Sequence, residues 1–324
     1  MNKNYYNTVL SQTFSPCGNY LIVGDIYGQI LTFHIAKIIK PDLNASKQER
    51  APKNTILVEE DIQINSLVTT TNFLIVGTRG YLYGYQWKAV KGTKDAKPSW
   101  KYDLPILKDK LEKCDVNCIV YDKDGEVLYV GCGDNNVYVI NIETGATVNT
   151  LSKHSNYIHS LYKNGNELIS GGEDGLVCIW DLRRKAVSNK IEPFKNDKLG
   201  RPELGKWIGA IYCNDDLLIC GGGPRLSMWY LRTLNTSTVF PIEDRGIHVV
   251  NLCDNNVLAG GSSEYFYQMS LNGDIISEIP TSSASIYSAA YQLEPFTVLC
   301  LAGSSPKIDI CSNFNYRDQV LSIY

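Results

Sequence analysis

Seven times along this chain an apolar run reaches a glycine, passes through a short turn and resumes as an alternating apolar run. The copies are YLIVGDIYGQILTFHI from Tyr20, FLIVGTRGYLYGYQW from Phe73, VLYVGCGDNNVYVINI from Val127 and LISGGEDGLVCIWDLRRKA from Leu168, then LLICGGGPRLSMWYL from Leu217, VLAGGSSEYFYQMSL from Val257 and VLCLAGSSPKIDICS from Val298. Aligned on the glycine, they place Phe33, Tyr85, Ile140, Trp180, Trp229, Met269 and Cys311 at equivalent positions, separated by 52, 55, 40, 49, 40 and 42 residues. The base period is near 40, and three intervals carry insertions. Alternation with a period of two, broken by short turns, argues for strands throughout.

Each copy is preceded by a further apolar strand, such as NCIVYD, and followed by another, such as GATVNTL. Four strands per unit at this period is the pattern of a β-propeller blade. The expected fold is therefore all-β, a single seven-bladed WD40-type propeller over 1–324, with insertions at 36–53, 88–115 and 194–207. A lone four-stranded sheet leaves both faces open, so the blades must pack on one another. Closure should bring Tyr316–Tyr324 beside Asn4–Phe14, with a strand shared between the two ends allowed but not required.

The fourth copy has all four polar members of a WD40 repeat: His154, Ser170, Asp174 and Trp180. The repeat makes them a structural tetrad, and the other blades keep the apolar anchor without the polar partners. Apart from the repeat, the His154–Asp174 pair would look like a fragment of a hydrolase. Catalytic residues are expected nowhere. The four histidines, His34, His154, His159 and His248, form no cluster with metal-ligand spacing, and the ten cysteines contain no C-x-x-C pair, so no metal or other cofactor is expected. Cys178, Cys220, Cys300 and Cys311 fall within apolar runs and read as small buried hydrophobes. Gly221-Gly222-Gly223 lacks the Lys-Ser/Thr of a phosphate loop and reads as a strand-to-strand turn. No small-molecule substrate is implied.

A net charge of −3 gives no bulk attraction for nucleic acid, and no apolar stretch approaches a membrane span, so a soluble intracellular chain is expected. Local charge tells more. Ala36–Lys53 contains Lys37, Lys40, Lys47, Arg50 and Lys53 against Asp42 and Glu49, and Lys88–Pro98 contains Lys88, Lys91, Lys94 and Lys97 against Asp95. Both fall between the third and fourth strands of consecutive blades, so they should emerge side by side. They read as solvated loops, or as a basic patch for RNA phosphates or an acidic partner segment. Interleaved aromatics are absent apart from Trp87 and Trp100, which supports base stacking poorly. The third insertion, Phe194–Trp207, should lie on the opposite face. There Arg201, Lys206 and Trp207, with Arg225 in the following copy, are candidate partner-binding residues. Trp207 fits equally well as the first core residue of blade five.

Together SPCGNYL, SGGEDGLVCIWDLR, RPELGKWIG, CGGGPRLSMWYLR and VFPI resemble the THO complex subunit 6 family, WD40 subunits of an mRNA-export assembly. The similarity runs from Ser15 to the terminal YRDQVLSIY; the lysine-rich loops stand outside it. The resemblance implies a nuclear, non-enzymatic scaffold that binds other THO subunits, coiled-coil ones among them, with any RNA contact indirect. A competing reading comes from Trp180, Asp181 and Arg183, which fit the Trp-Asp-x-Arg pattern of substrate receptors for cullin-type ubiquitin ligases.

Overall fold

A computed structural model describes residues 6–39, 50–92, 96–105, 113–243 and 245–324. The fold is a seven-bladed β-propeller of four-stranded sheets, each with its strands in chain order. The blades run from Val9 to Leu57, Ser66 to Asp103, Val116 to Ser152, Ile158 to Ile191, Ile208 to Val239, Ile247 to Pro280 and Ile286 to Ser322. They fall into two compact units, Met1–Val116 with Ile279–Tyr324, and Asn117–Glu278. No described helix is long and apolar enough to cross a membrane.

The seven anchors share one register. Phe33, Tyr85, Ile140, Trp180, Trp229, Met269 and Cys311 each sit on a third strand opposite Leu21, Leu74, Leu128, Leu168, Leu218, Val257 and Leu299 of the second. All seven are buried. Second and third strands are apolar on both faces, as in the wholly buried Val177–Asp181. Fourth strands, such as Thr147–Ser152, are mostly exposed.

Blade-to-blade packing explains the recurring glycine. Each first strand opens with or just after a buried β-branched residue: Val9, Ile64, Val116, Ile158, Ile208, Ile247 or Ile286. In three of the steps between blades this side chain lies where the Cβ of the preceding blade's glycine would be, and in a fourth it borders that space. A Cβ on Gly131 would come within 2.8 Å of Ile158 Cγ2, and one on Gly171 within 2.6 Å of Ile208 Cγ2. Gly24 stands in the same relation to Ile64, at 2.4 Å, whereas a Cβ on Gly221 would meet Leu226 of its own blade at 3.1 Å and Ile247 at 3.3 Å. A register shift follows the β-branched residue in five blades, turning the strand so that this residue and the next inward one both face the core.

Blade seven packs directly on blade one. Leu321 and Ile323 share a core cluster with Val9, Phe33, Ile35 and Ile38. The amide of Gln319 donates to Ile38 O at 2.9 Å, that of Gln12 to Ser288 O at 3.1 Å, and that of Gln292 to Gly18 O at 2.9 Å. No strand is shared, because the last strand, Gln319–Ser322, completes its own sheet.

Two sequence expectations need correction here. The basic segments are not simply solvated loops, because each begins with a short helix, α1 (Ile35–Ile39) and α2 (Trp87–Gly92). These helices bury Ile35, Ile38 and Val90, whose apolar surface is better placed in the core than in water. Nor is 88–115 one insertion, since it contains Trp100–Asp103, the fourth strand of blade two.

Replacing Gly171 with Val should therefore destabilise the fold by about 1–3 kcal/mol through overpacking. Urea unfolding of G171V, I208A and the double variant checks this. If the two side chains collide as described, Ile208→Ala should recover part of the loss.

Candidate functional site

The tetrad of blade four is fully formed. His154 Nδ1 lies 3.0 and 3.1 Å from the Asp174 carboxylate oxygens, and His154 Nε2 lies 2.7 Å from Ser170 Oγ. The Trp180 indole N–H donates to Ser170 Oγ at 2.9 Å. The backbone N–H groups of Ser155 and Leu176 complete the shell around Asp174 at 2.8 and 3.1 Å. Burial alone would raise the Asp174 pKa, but the His154 hydrogen bond and these N–H donors outweigh it and hold the carboxyl below its ordinary value. Serine, imidazole and carboxylate are thus linked as in a hydrolase triad. Ser170 is nonetheless wholly buried, and its oxygen already accepts the Trp180 N–H, so no substrate carbonyl has a path to it. Every polar member is satisfied within the blade, which is what a buried network needs to stabilise a fold.

Other blades bury polar groups in their own ways, which the anchor-only expectation missed. In blade five Cys220 occupies the position of Ser170, and the Trp229 indole donates to Ser227 Oγ instead, at 2.9 Å. Burial pushes the Cys220 thiol up to about 12, so it stays protonated. Blade one buries Asp25 against the Asn7 amide at 2.7 Å. Blade seven buries Asp309 against Ser282 N at 2.6 Å and the Arg317 guanidinium at 3.2 Å.

The third insertion contains the main surprise. Arg201 was expected to face a partner, but it is only 3% exposed. Its Nε donates to Gly223 O at 2.8 Å, and its Nη2 reaches Gly222 O, Pro224 O and Arg245 O at 3.3, 3.2 and 2.8 Å. A guanidinium presents several donors in one plane, and here it gathers the carbonyls of one turn together with that of Arg245. Two of the three glycines, Gly222 and Gly223, follow from the same packing. A Cβ on Gly222 would strike the Trp207 carbonyl, and one on Gly223 the Gly205 carbonyl. Close approach of two backbones, rather than tightness of the bend, is what requires glycine there. RP-x-x-GKW and CGGGP are two halves of one contact.

With Arg201 as its floor, the insertion forms a cleft of about 300 Å³ lined by Phe194, Arg201, Pro202, Gly205 and Lys206. Lys206 is exposed, with its ammonium 5.6 Å from the Phe194 ring centre. Arg225 is half-buried and held by Glu243 at 2.8 Å. Trp207 is half-buried immediately before the first strand of blade five, its N–H donated to Leu204 O at 2.9 Å. Its ring stacks on His248 at 5.0 Å and meets His159 edge-on at 6.3 Å, while His159 pairs with Glu173 at 2.7 Å. Burial, with a smaller effect from His159, pushes His248 down to about 4. The structure thus brings Lys206 and Trp207 close to one cleft, with Arg201 beneath it and Arg225 in a separate ion pair.

At the Trp-Asp-x-Arg turn, Trp180 is committed to the tetrad. Arg183 folds back on Asp181, donating from Nε at 3.1 Å and Nη2 at 3.0 Å. That pairing holds the Asp181 carboxyl down to about 2, and the Arg183 side chain remains 70% exposed. Of the basic residues, Lys37, Arg50, Lys53, Lys88 and Lys97 are exposed and Lys91 is half-buried, while Lys40, Lys47 and Lys94 lie outside the described residues.

A model of the anaphase-promoting complex subunit 4 WD40 domain matches residues 97–164, within blades two to four. Full-length similarity points elsewhere. The chain is 35% identical over 324 residues to THO complex subunit 6 of Drosophila melanogaster, covering 99% of this chain and 91% of that protein. The chain belongs to the THO complex subunit 6 family. It is also 34% identical to the homolog of Danio rerio, covering 97% of both chains. To the Homo sapiens protein it is 32% identical, covering 97% of this chain and 92% of the relative. These matches span all seven blades, so the family is carried by the whole propeller and not by the one complete WD40 repeat.

Three outcomes are expected. Arg201→Met should cost about 3 kcal/mol or more in urea unfolding, because several buried carbonyls lose a charged donor. Lys206→Ala should stay within about 0.5 kcal/mol. His248 gives a pH dependence. The unfolded chain takes up a proton at this residue near pH 6.5, but the folded chain not until about 4. The unfolded state therefore binds more protons in between, and stability from neutral His248 falls as the pH drops through that window. Thermal midpoints of the parent and H248Q across this range should diverge, with the parent showing the steeper loss.

Proposed function

We propose that this chain is a non-enzymatic scaffold subunit of a THO complex, acting in the nucleus by binding other THO subunits during pre-mRNA processing and export. The observation that carries this reading is similarity to THO complex subunit 6 proteins along almost the entire chain, through every blade. A propeller of this kind has no need of a reacting group, and the one hydrolase-like set of side chains is sealed in a blade core.

The partner surface in this reading is the cleft of the third insertion. Arg201 and the glycines fix its backbone, so Phe194, Pro202 and Lys206 are presented with little ordering left to do on binding. An apolar side chain from a helical partner, a coiled-coil subunit in particular, would enter against Phe194 and Pro202, with an acidic neighbour meeting Lys206.

Mass spectrometry of proteins co-purifying with the tagged chain from nuclease-treated nuclear extract tests this. THO subunits should be recovered near stoichiometry. A double variant, Phe194→Ser with Lys206→Glu, should lower that recovery by about tenfold, equivalent to roughly 1.4 kcal/mol of interface energy. Lys88→Gln should leave it unchanged. Full recovery with the double variant would move the interface off this cleft. A cullin-ligase adaptor in place of THO subunits would overturn the scaffold reading and favour the Asp181–Arg183 turn.

A further inference from the structure

The two basic segments converge on a tyrosine that sequence spacing did not connect to them. Thr32 Oγ1 donates to Val90 O at 3.2 Å, and the Asn54 amide donates to the same carbonyl at 2.9 Å. These bonds tie α2 of blade two to the third and fourth strands of blade one. Lys53, adjacent to Asn54, is thereby brought beside Lys91. Both ammonium groups stand over the Tyr20 ring, 5.2 and 5.1 Å from its centre, and Lys53 also donates to the Tyr20 hydroxyl at 3.4 Å. Lys91 is also 5.8 Å from the Trp87 ring, whose N–H is fixed on Thr70 O at 3.0 Å. His34 packs edge-on against Tyr20 at 4.7 Å, from the turn that leads into α1 and Lys37.

The two segments that meet at Tyr20 are predominantly basic in sequence. In sequence Ala36–Lys53 and Lys88–Pro98 carry nine basic residues against Asp42, Glu49 and Asp95, and Lys37, Arg50, Lys53, Lys88, Lys91 and Lys97 are the basic residues among those described. Among the described residues, none of the six forms an ion pair. Like charges held together repel one another unless an anion is brought to them. Five of the six are lysines, compact point charges suited to phosphate oxygens, whereas paired recognition of carboxylates favours the arginine fork. Tyr20 and Trp87 are half-buried against the core of blades one and two, and their uncovered parts lie among the cations. Cations interleaved with aromatic rings are the combination by which proteins hold single strands without reading their sequence.

We propose that this surface, centred on Tyr20, Lys53, Lys91 and Trp87, binds single-stranded nucleic acid through its phosphates, with Tyr20 and Trp87 as stacking faces. It is independent of the cleft at Phe194 and Lys206 and does not rest on the subunit reading.

The test is fluorescence anisotropy of the purified full chain with labelled oligo(U) of about 15 nucleotides, between about 50 and 200 mM KCl. Lys53→Gln with Lys91→Gln should weaken binding about tenfold at low salt. The same variant should flatten the log–log salt slope by about 1.4, two phosphate contacts at about 0.7 each. Tyr20→Leu should weaken binding by about fivefold or more at both salt concentrations. Lys153→Gln with Lys190→Gln, both exposed and outside this surface, should change nothing. Ultraviolet crosslinking of oligo(U) to the parent chain should label the peptides bearing Tyr20 or Trp87, a readout that needs no variant to fold. An unchanged salt slope, crosslinks confined to other blades, or equal competition by a polyglutamate peptide would each overturn the proposal, the last in favour of an acidic polypeptide.

Discussion

The packing of one blade on the next depends on a β-branched side chain filling the space left by a missing Cβ. Ile64, Ile158, Ile208 and Ile247 each press on a glycine of the blade before them. That contact brings consecutive sheets close enough for their second and third strands to be apolar on both faces, as the buried runs at Leu168 and Val177 show. It also accounts for the repeat as it is written in the chain. In blades one, three and four the glycine is required because the following blade occupies its side-chain space, and the apolar runs around it recur because both of their faces are covered.

Polar chemistry is subordinate to this packing and completes it locally. Blade four uses His154, Ser170, Asp174 and Trp180; blade one uses Asn7 with Asp25; blade seven uses Ser282, Asp309 and Arg317. Different residues meet the same requirement, that a buried donor or acceptor must find a partner. Arg201 extends this rule to an insertion. By binding the carbonyls of the Gly222–Pro224 turn and of Arg245, it fastens an irregular segment to blade five and leaves Phe194, Pro202 and Lys206 on a fixed surface.

How far the sequence could be read depended on the range of the interactions. The anchor alignment predicted equivalent positions for Phe33 through Cys311, and strand pairing places all seven opposite a second-strand aliphatic residue. The tetrad was legible because its members lie within one repeat. Arg201 was misread because an arginine beside Pro-x-x-Gly-Lys-Trp has the composition of an interface, and its acceptors are carbonyls 21 to 44 residues away that leave no side-chain signature. The helices at Ile35 and Trp87 were hidden for a similar reason. They are too short to show a periodic pattern, and they form because neighbouring blades bury Ile38 and Val90.

By itself, then, the sequence determined the repeat, the seven strand sets, the anchor of each and the family, because all of these are expressed in local periodicity and in residues spaced within one blade. Only the tertiary structure decided which polar residues are sealed inside and which meet solvent. Arg201 and Lys206 lie five residues apart in the same insertion, yet one is buried among carbonyls and the other is exposed. Tyr20, Lys53 and Lys91 are distant in the chain, yet they share one surface. Burial and convergence depend on what the neighbouring blade places against a residue, and periodicity within one blade carries no record of that.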